Sequence, residues 1–288
     1  MEILLIIVIC SLATLKVAIQ GRASRTVLTE KNEVVFYNFG VFGLIAILFL
    51  YSVFGCSFEV WVYGAMFAFL TVNFQLFYTE ALASGSVSLT VMMVNLAMVI
   101  PVLFSKFCYN EPLTTCRIIG ILLTIVSIVC VTDLKSKKHT NKKWLLCAVV
   151  ATLANGLTGI VQKSFNASPV GVERSAFIST SYIMAFIFSG LALLVMSLSK
   201  GKAKRLEPKK IVKILPYIIA VGITLGTFQM LYNYTMTLVD GTYFFPVYSG
   251  GAIVLSTLLG VIMFKDKISK NQVVGIILGI ASIVLMNF

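Results

Sequence analysis

The chain has 288 residues, 59% hydrophobic and 12% charged, with a formal net charge of +12 and a mean hydropathy of +0.98. Soluble domains carry about 25% charged residues, so an ordinary globular fold is excluded. The basic residues fall in short connections between apolar blocks rather than along one stripe, which argues against nucleic acid as their partner.

Ten apolar blocks follow one another, at approximately 3–20, 33–54, 58–82, 86–107, 113–132, 144–165, 172–198, 211–236, 242–264 and 271–287. A helix needs about 20 mostly apolar residues to cross the hydrocarbon core, so each block is a candidate span. The fold class expected is an all-α membrane protein of ten transmembrane helices. The first block could pass for a signal peptide, but it lacks a basic start and Lys16 interrupts it; it is read as the first membrane helix.

Polar residues inside apolar blocks are costly, so they are candidates for function. In the first block Lys16 either snorkels to the interface or faces a cavity, where it would hold an anionic group. The third block carries Asn73, Gln75 and Tyr78 and closes with Glu80, a candidate inner gate or coupling site or else an interfacial carboxylate. The fourth carries Asn95 and Pro101, the sixth Asn155 and Gln162, the eighth Gln229, Tyr232 and Asn233, and the ninth Pro246 and Tyr248. Buried amides need partners, so these face protein or a wet cavity rather than lipid. Tyr78, Tyr232, Tyr234, Tyr243 and Tyr248 offer an aromatic wall with hydroxyl handles; Tyr243 is also read as an interfacial belt residue. Pro101 and Pro246 each remove a backbone hydrogen bond, giving a bending point or a static kink. Thr114 and Ser269 are positioned to cap the last helix of each half, beside Glu111 and Asp266. Gly222/Gly226 and Gly275/Gly279 have the small-residue spacing that lets helices approach closely.

Eighteen of the 23 Lys and Arg residues lie in the connections between blocks 1–2, 5–6, 7–8 and 9–10, against four (Lys106, Arg117, Lys163 and Arg174) on the other side. Basic residues resist translocation, so the crowded side is predicted to be cytoplasmic and both termini outside. Glu59 and Asp240 then read as solvated outer helix ends. The six cysteines read as small apolar residues, and His139 stands among lysines without metal-ligand neighbours.

The two halves resemble each other. Phe74-Gln75 opens one stretch and Phe228-Gln229 the other, and Glu111, Leu113 and Gly120 match Asp266, Ile268 and Gly275 at an offset near 155. Five helices per copy is an odd number, so the copies, 1–138 and 139–288, enter the membrane from opposite faces as inverted repeats. That framework places a binding site near the midplane at the repeat interface.

Ten blocks, a five-helix inverted repeat and an acidic turn before a glycine-bearing last helix in each half carry a resemblance. The chain resembles the drug/metabolite transporter superfamily, of the EamA-like ten-helix type, over essentially its whole length. The resemblance implies a cavity lined mainly by helices 1, 3, 4, 6, 8 and 9, with 5 and 10 outside, alternating access, and movement of small metabolites. Two departures stand out. Ten-helix members commonly have cytoplasmic termini, whereas the charges here place them outside. Four-helix multidrug members use a helix 1 glutamate, whereas this first block has Glu2 only at its edge and Lys16 further in.

The expected function is secondary transport of a small polar metabolite, best fitted by an amino acid or a related zwitterion or organic anion, and by export. Sugars, nucleosides and quaternary amines are the alternative substrates. A membrane-embedded enzyme or a non-transporting helper are the alternative classes. The enzyme reading lacks HExxH, GxSxG, paired intramembrane aspartates and a usable histidine, and no Walker motif marks ATP hydrolysis. No cofactor and no metal are expected. The partners expected are a small-molecule substrate and membrane lipid, in a cell (plasma or inner) membrane. Two repeats in one chain make a monomer sufficient in principle, with a dimer as the alternative.

Overall fold

The computed structural model describes residues 2–28, 30–84, 93–131, 142–198, 208–264 and 270–285. Asp266, Ser269, His139 and most of the interblock lysines lie outside the described residues. Ten helices follow in order among the described residues: α1 Glu2–Thr26, α2 Lys31–Leu48, α3 Phe58–Ser84, α4 Val99–Tyr109, α5 Thr115–Val131, α6 Lys142–Ala167, α7 Arg174–Leu198, α8 Pro208–Met236, α9 Gly241–Phe264 and α10 Lys270–Leu285. Short 3-10 turns at Leu50–Ser52 and Pro169–Val172 lead from α2 and into α7. Each apolar block contains one of these ten helices, and the fourth also holds a short helical turn at 93–96. No strand occurs among the described residues.

Local chemistry sets several of the ends. Glu33 turns its carboxylate back to the Glu30 N–H at 2.9 Å, closing the first turn of α2. Thr114 caps α5 as its position suggested, accepting the Arg117 N–H at 3.2 Å. Asn110 ends α4 in the left-handed region at φ 51°, a conformation that Asn tolerates better than most residues.

Among the described residues, five helical stretches are long and apolar enough to cross a membrane: Glu2–Gln20, Phe58–Tyr78, Lys142–Ala167, Arg174–Val195 and Pro208–Met236. The surface of these helices is oily. Leu4, Phe69, Leu146, Leu191 and Val212 point outward, while Gln75, Gln162, Thr180, Gln229 and Asn233 are buried. Apolar outside and polar inside is the distribution that a hydrocarbon solvent selects.

The chain divides into two compact units, each described by itself. One comprises Met1–Thr14, Asn73–Ser164 and Thr235–Phe288, the other Leu15–Val72 and Phe165–Tyr234. Each unit takes segments from both halves of the sequence, and α1, α3, α6 and α8 contribute to both.

In the first unit α5 packs along α10, and α9 packs on α4, α5 and α10. The α5–α10 seam is made of small residues. Ser127 donates its hydroxyl to the Gly275 carbonyl at 2.6 Å, and Thr124 donates to the Ser282 hydroxyl at 3.1 Å. A Cβ on Gly279 would lie 2.9 Å from Ser127 Oγ. In the second unit α2 packs along α7, with Phe39 stacked on Phe186 at 4.1 Å. The glycine pair of α8 receives α2: Leu44 fills the space at Gly222 and Phe49 that at Gly226. Both glycine pairs therefore serve packing within a unit.

Candidate functional site

The fourth block is broken. Residues 93–96 are helical, 97–98 form a turn, and α4 begins at Val99. The cause is Pro101. An α-helix would pair the residue 101 N–H with the Ala97 carbonyl, and proline has no N–H. The Ala97 carbonyl instead accepts the Ile100 N–H at 3.1 Å, and Asn95 accepts the Met98 N–H at 3.3 Å, both tightened three-residue bonds. The kink expected at Pro101 is thus a discontinuity. Helix α6 covers it. The Asn155 side-chain amide donates to the Val94 carbonyl at 3.2 Å. Gly156 and Gly159 offer no side chain where Ile100 and Pro101 press in. The half-buried Asn155 and Asn95 thus gather beside a break inside an apolar bundle, where the Val94 carbonyl accepts both the Ala97 N–H and the Asn155 amide.

Other residues singled out in the sequence lie in the same compact unit. Gln75 and Gln162 are buried, while Asn73 and Tyr78 are half-buried. Tyr78 stacks on Phe74 at 5.3 Å. Glu80 forms an ion pair with Lys143 at the start of α6. Tyr248 lies parallel to Phe244 at 6.1 Å, and its carbonyl accepts the Cys10 thiol at 3.5 Å. Cys10 occupies the space that a side chain on Gly251 would need, five residues beyond the buried Pro246.

The second unit holds its own set. Gln229 donates its amide to the Tyr182 hydroxyl at 3.1 Å. Asn233 accepts from the Asn166 amide at 2.9 Å and donates to the Gln229 carbonyl at 2.9 Å. Tyr232 is buried against Phe228, and Lys16 is half-buried in α1. Around them Phe165 stacks on Phe177 at 4.2 Å, while Phe67 and Phe42 meet the Tyr182 ring. Asn166 and Asn233 thus pair side chain to side chain, Asn233 also binds the Gln229 main-chain carbonyl, and the Gln229 side chain pairs with Tyr182, all inside an aromatic core.

Several participants escaped the sequence reading. The sequence alone does not single out Tyr182 and Asn166, because a lone tyrosine and a helix-end asparagine are ordinary in a span. Gly156 and Gly159, three residues apart on one helix face, are the signal that points to the close approach of α4. By sequence Lys163 is an outer-face charge and Glu111 a helix-cap neighbour. The structure buries both and pairs them. Tyr243, expected in the interfacial belt, is buried, with the Arg117 guanidinium 5.9 Å from its ring centre. Asp240 also binds Arg117, at 3.0 Å, rather than standing merely solvated.

Comparison with known proteins adds family and fold. A family model described as the EamA-like transporter family matches residues 1–133 and 142–288. An uncharacterized protein of Haemophilus influenzae is 24% identical over 197 residues, covering 66% of this chain and 62% of that relative, so under two thirds of its length is spanned. The multidrug resistance protein EbrA of Bacillus licheniformis is 25% identical over 105 residues, 36% of this chain and 90% of that protein. A solved structure described only as the crystal structure of a protein superposes with a TM-score of 0.74 over 97% of this chain and 95% of its own, at 18% identity, which establishes a shared fold.

Proposed function

The chain belongs to the EamA-like transporter family, an integral membrane protein of helical fold, and from that premise we propose that it moves a small polar metabolite across the membrane by alternating access. The observation that carries this reading is the break between residues 96 and 99, with Asn155 bound to the Val94 carbonyl. In secondary transporters a discontinuous helix supplies backbone ends that grip polar solutes inside the membrane. Asn95 and Asn155 are placed beside the break as direct contacts, with Asn73, Gln75, Tyr78, Gln162 and Tyr248 as further cavity groups. Within the second unit the candidate groups are Lys16, Gln229, Tyr232 and Asn233, and Glu80, Pro101 and Pro246 are assigned to gating or bending. Amides, tyrosines and Lys16 suit a zwitterion or organic anion, with an amino acid as the concrete substrate and export as the direction.

The proposed architecture is ten spans in two inverted repeats, 1–138 and 139–288. Three features support it. Helices five places apart in the chain pack together, α2 on α7 and α5 on α10, as a twofold relation between copies would bring them. Gly120, Thr124 and Ser127 of α5 have the same spacing as Gly275, Gly279 and Ser282 of α10. A multidrug resistance protein matched over 90% of its length by 36% of this chain also fits a duplicated unit. The proposed topology places the basic connections in the cytoplasm, both termini outside, and the protein in the cell membrane, with the monomer as the working unit.

A second reading has one observation behind it. The EbrA relative is described as a multidrug resistance protein, which favours a quaternary amine or another organic cation. Against it, Glu2 is the only acid in α1, at its very start. A thermal-shift panel of purified protein separates the two, since a ligand that binds the folded state raises its melting temperature. Stabilisation by amino acids or organic anions that disappears in Lys16→Ala supports the proposal. Stabilisation by quaternary amines that persists in Lys16→Ala supports the second reading.

A further inference from the structure

Between Phe107 and Pro112, where α4 turns toward α5, Glu111 alone is buried. The anchor of this connection is therefore a carboxylate. One oxygen pairs with the Lys163 ammonium of α6, and both side chains are about nine-tenths enclosed. The other accepts the Thr242 N–H at 3.0 Å. That amide lies in the first turn of α9, where no helix carbonyl can reach it. Outside this pair is a second, wetter layer. Arg117 binds Asp240 at 3.0 Å, the Thr242 hydroxyl at 3.2 Å and the Pro112 carbonyl at 2.8 Å. All of these residues belong to one compact unit.

A static attachment has no need of such chemistry. Ser or Asn would cap α9 as a neutral group. An enclosed ion pair costs more desolvation than a well-packed apolar contact and is a poor way to add stability. The buried Glu33 pairs with Lys210 as well, but there the lysine is 40% exposed and can stay hydrated. Lys163 cannot. What an enclosed ionic contact offers is two discrete states, joined or parted, with few apolar contacts to peel away. Tyr109, Asn110 and Pro112 are exposed; Tyr109 meets Phe104 edge-on at 5.7 Å and has the Lys163 ammonium 5.8 Å from its ring centre, so lifting the connection moves an exposed ring rather than a buried one. Lys163 also stands just before Ser164, the last residue that α6 gives to this unit.

We propose that the Lys163–Glu111 pair is a releasable clasp, holding the α4–α5 connection onto α6 and the start of α9 and opening once in each transport cycle. This rests on the transporter reading for its role in a cycle, while its release is a property of the protein alone. Two measurements on the full chain test it. The first is hydrogen–deuterium exchange in lipid nanodiscs, resolved to the Thr242 amide, whose protection reports the Glu111 carboxylate. Release predicts exchange about tenfold or more faster than at the Phe244 and Phe245 amides, and faster again in Glu111→Gln, with those two unchanged. Thr242 protection equal to that of Phe244 and Phe245 overturns the proposal.

The second measurement places Glu111→Cys and Lys163→Cys in a cysteine-free protein and bridges them with a short reducible bis-thiosulfonate reagent. The bridged protein in liposomes is expected to lose about tenfold or more of its transport and to regain it on reduction. Full transport in the bridged state overturns the gating role. If the unbridged parent moves none of the solutes in the panel, the transporter reading fails instead, and the Thr242 exchange still decides whether the clasp releases.

Discussion

The side-chain amide of Asn155 donates to the Val94 carbonyl at 3.2 Å, one turn ahead of the point where Pro101 interrupts the fourth apolar block. Two sequence features thus meet at one place: a proline that removes a backbone donor and an asparagine that serves a carbonyl near the gap. Neither residue needs the other in an isolated helix.

Pro101→Ala restores an N–H that the Ala97 carbonyl can accept. A proline in a helix interior costs about 3 kcal/mol, so part of that is expected back as a higher melting temperature. Transport is expected to fall at the same time, because a continuous helix removes the break beside Asn95 and Asn155. Thermal unfolding and liposome uptake on the same preparation check the pair of effects. A variant both more stable and fully active would remove the break from the transport account.

The α5–α10 seam tolerates little volume. A Cβ on Gly279 would lie 2.9 Å from both Ser127 Oγ and Val254 Cγ2. Gly279→Leu is expected to destabilise by about 2 kcal/mol, the usual scale of overpacking. Gly250 has looser surroundings, its nearest neighbour at 3.5 Å, and Gly250→Ala is expected to unfold close to the parent temperature. Melting curves of the two variants in one detergent make the comparison.

Much of this was legible in the sequence. Apolar runs of spanning length give each helix its place, and Thr114 marks a helix start by its hydroxyl. The proline, the amides and the glycine pairs also announce themselves. The pairings were not legible. Lys163 looks like any basic residue near a helix end until Glu111, 52 positions away, is seen beside it. Tyr182 becomes a polar partner only because Gln229 faces it from another helix. Periodicity says which residues share a face, and tertiary packing decides which faces meet.

That Tyr182–Gln229 contact is open to a double-mutant cycle. Tyr182→Phe, Gln229→Leu and the combination are expected to show a coupling of about 0.6 kcal/mol, typical of hydrogen bonds between membrane helices. Unfolding in mixed micelles supplies the four free energies. A coupling indistinguishable from zero would mean that the two side chains do not act together.

The distribution of basic residues predicts where the chain ends. Reporter fusions at each terminus, one active only outside the cytoplasm and one only inside, are expected to read outside at both ends. Replacing Lys142, Lys143, Lys209, Lys210 and Lys213 with Gln is expected to weaken that bias and give mixed orientation. Inside readings at both termini of the parent would reverse the topology while leaving the helix count intact.

The central claim is transport, and counterflow tests it directly. Liposomes containing the purified protein, preloaded with one unlabelled solute, would be diluted into the same solute carrying a label, across amino acids, organic anions, sugars, nucleosides and quaternary amines. The prediction is a transient accumulation of label for amino acids or organic anions, absent from protein-free liposomes and reduced about tenfold or more in Asn155→Ala, as expected for loss of a solute-holding group. Folded protein that gives no accumulation with any solute in the panel would contradict the account.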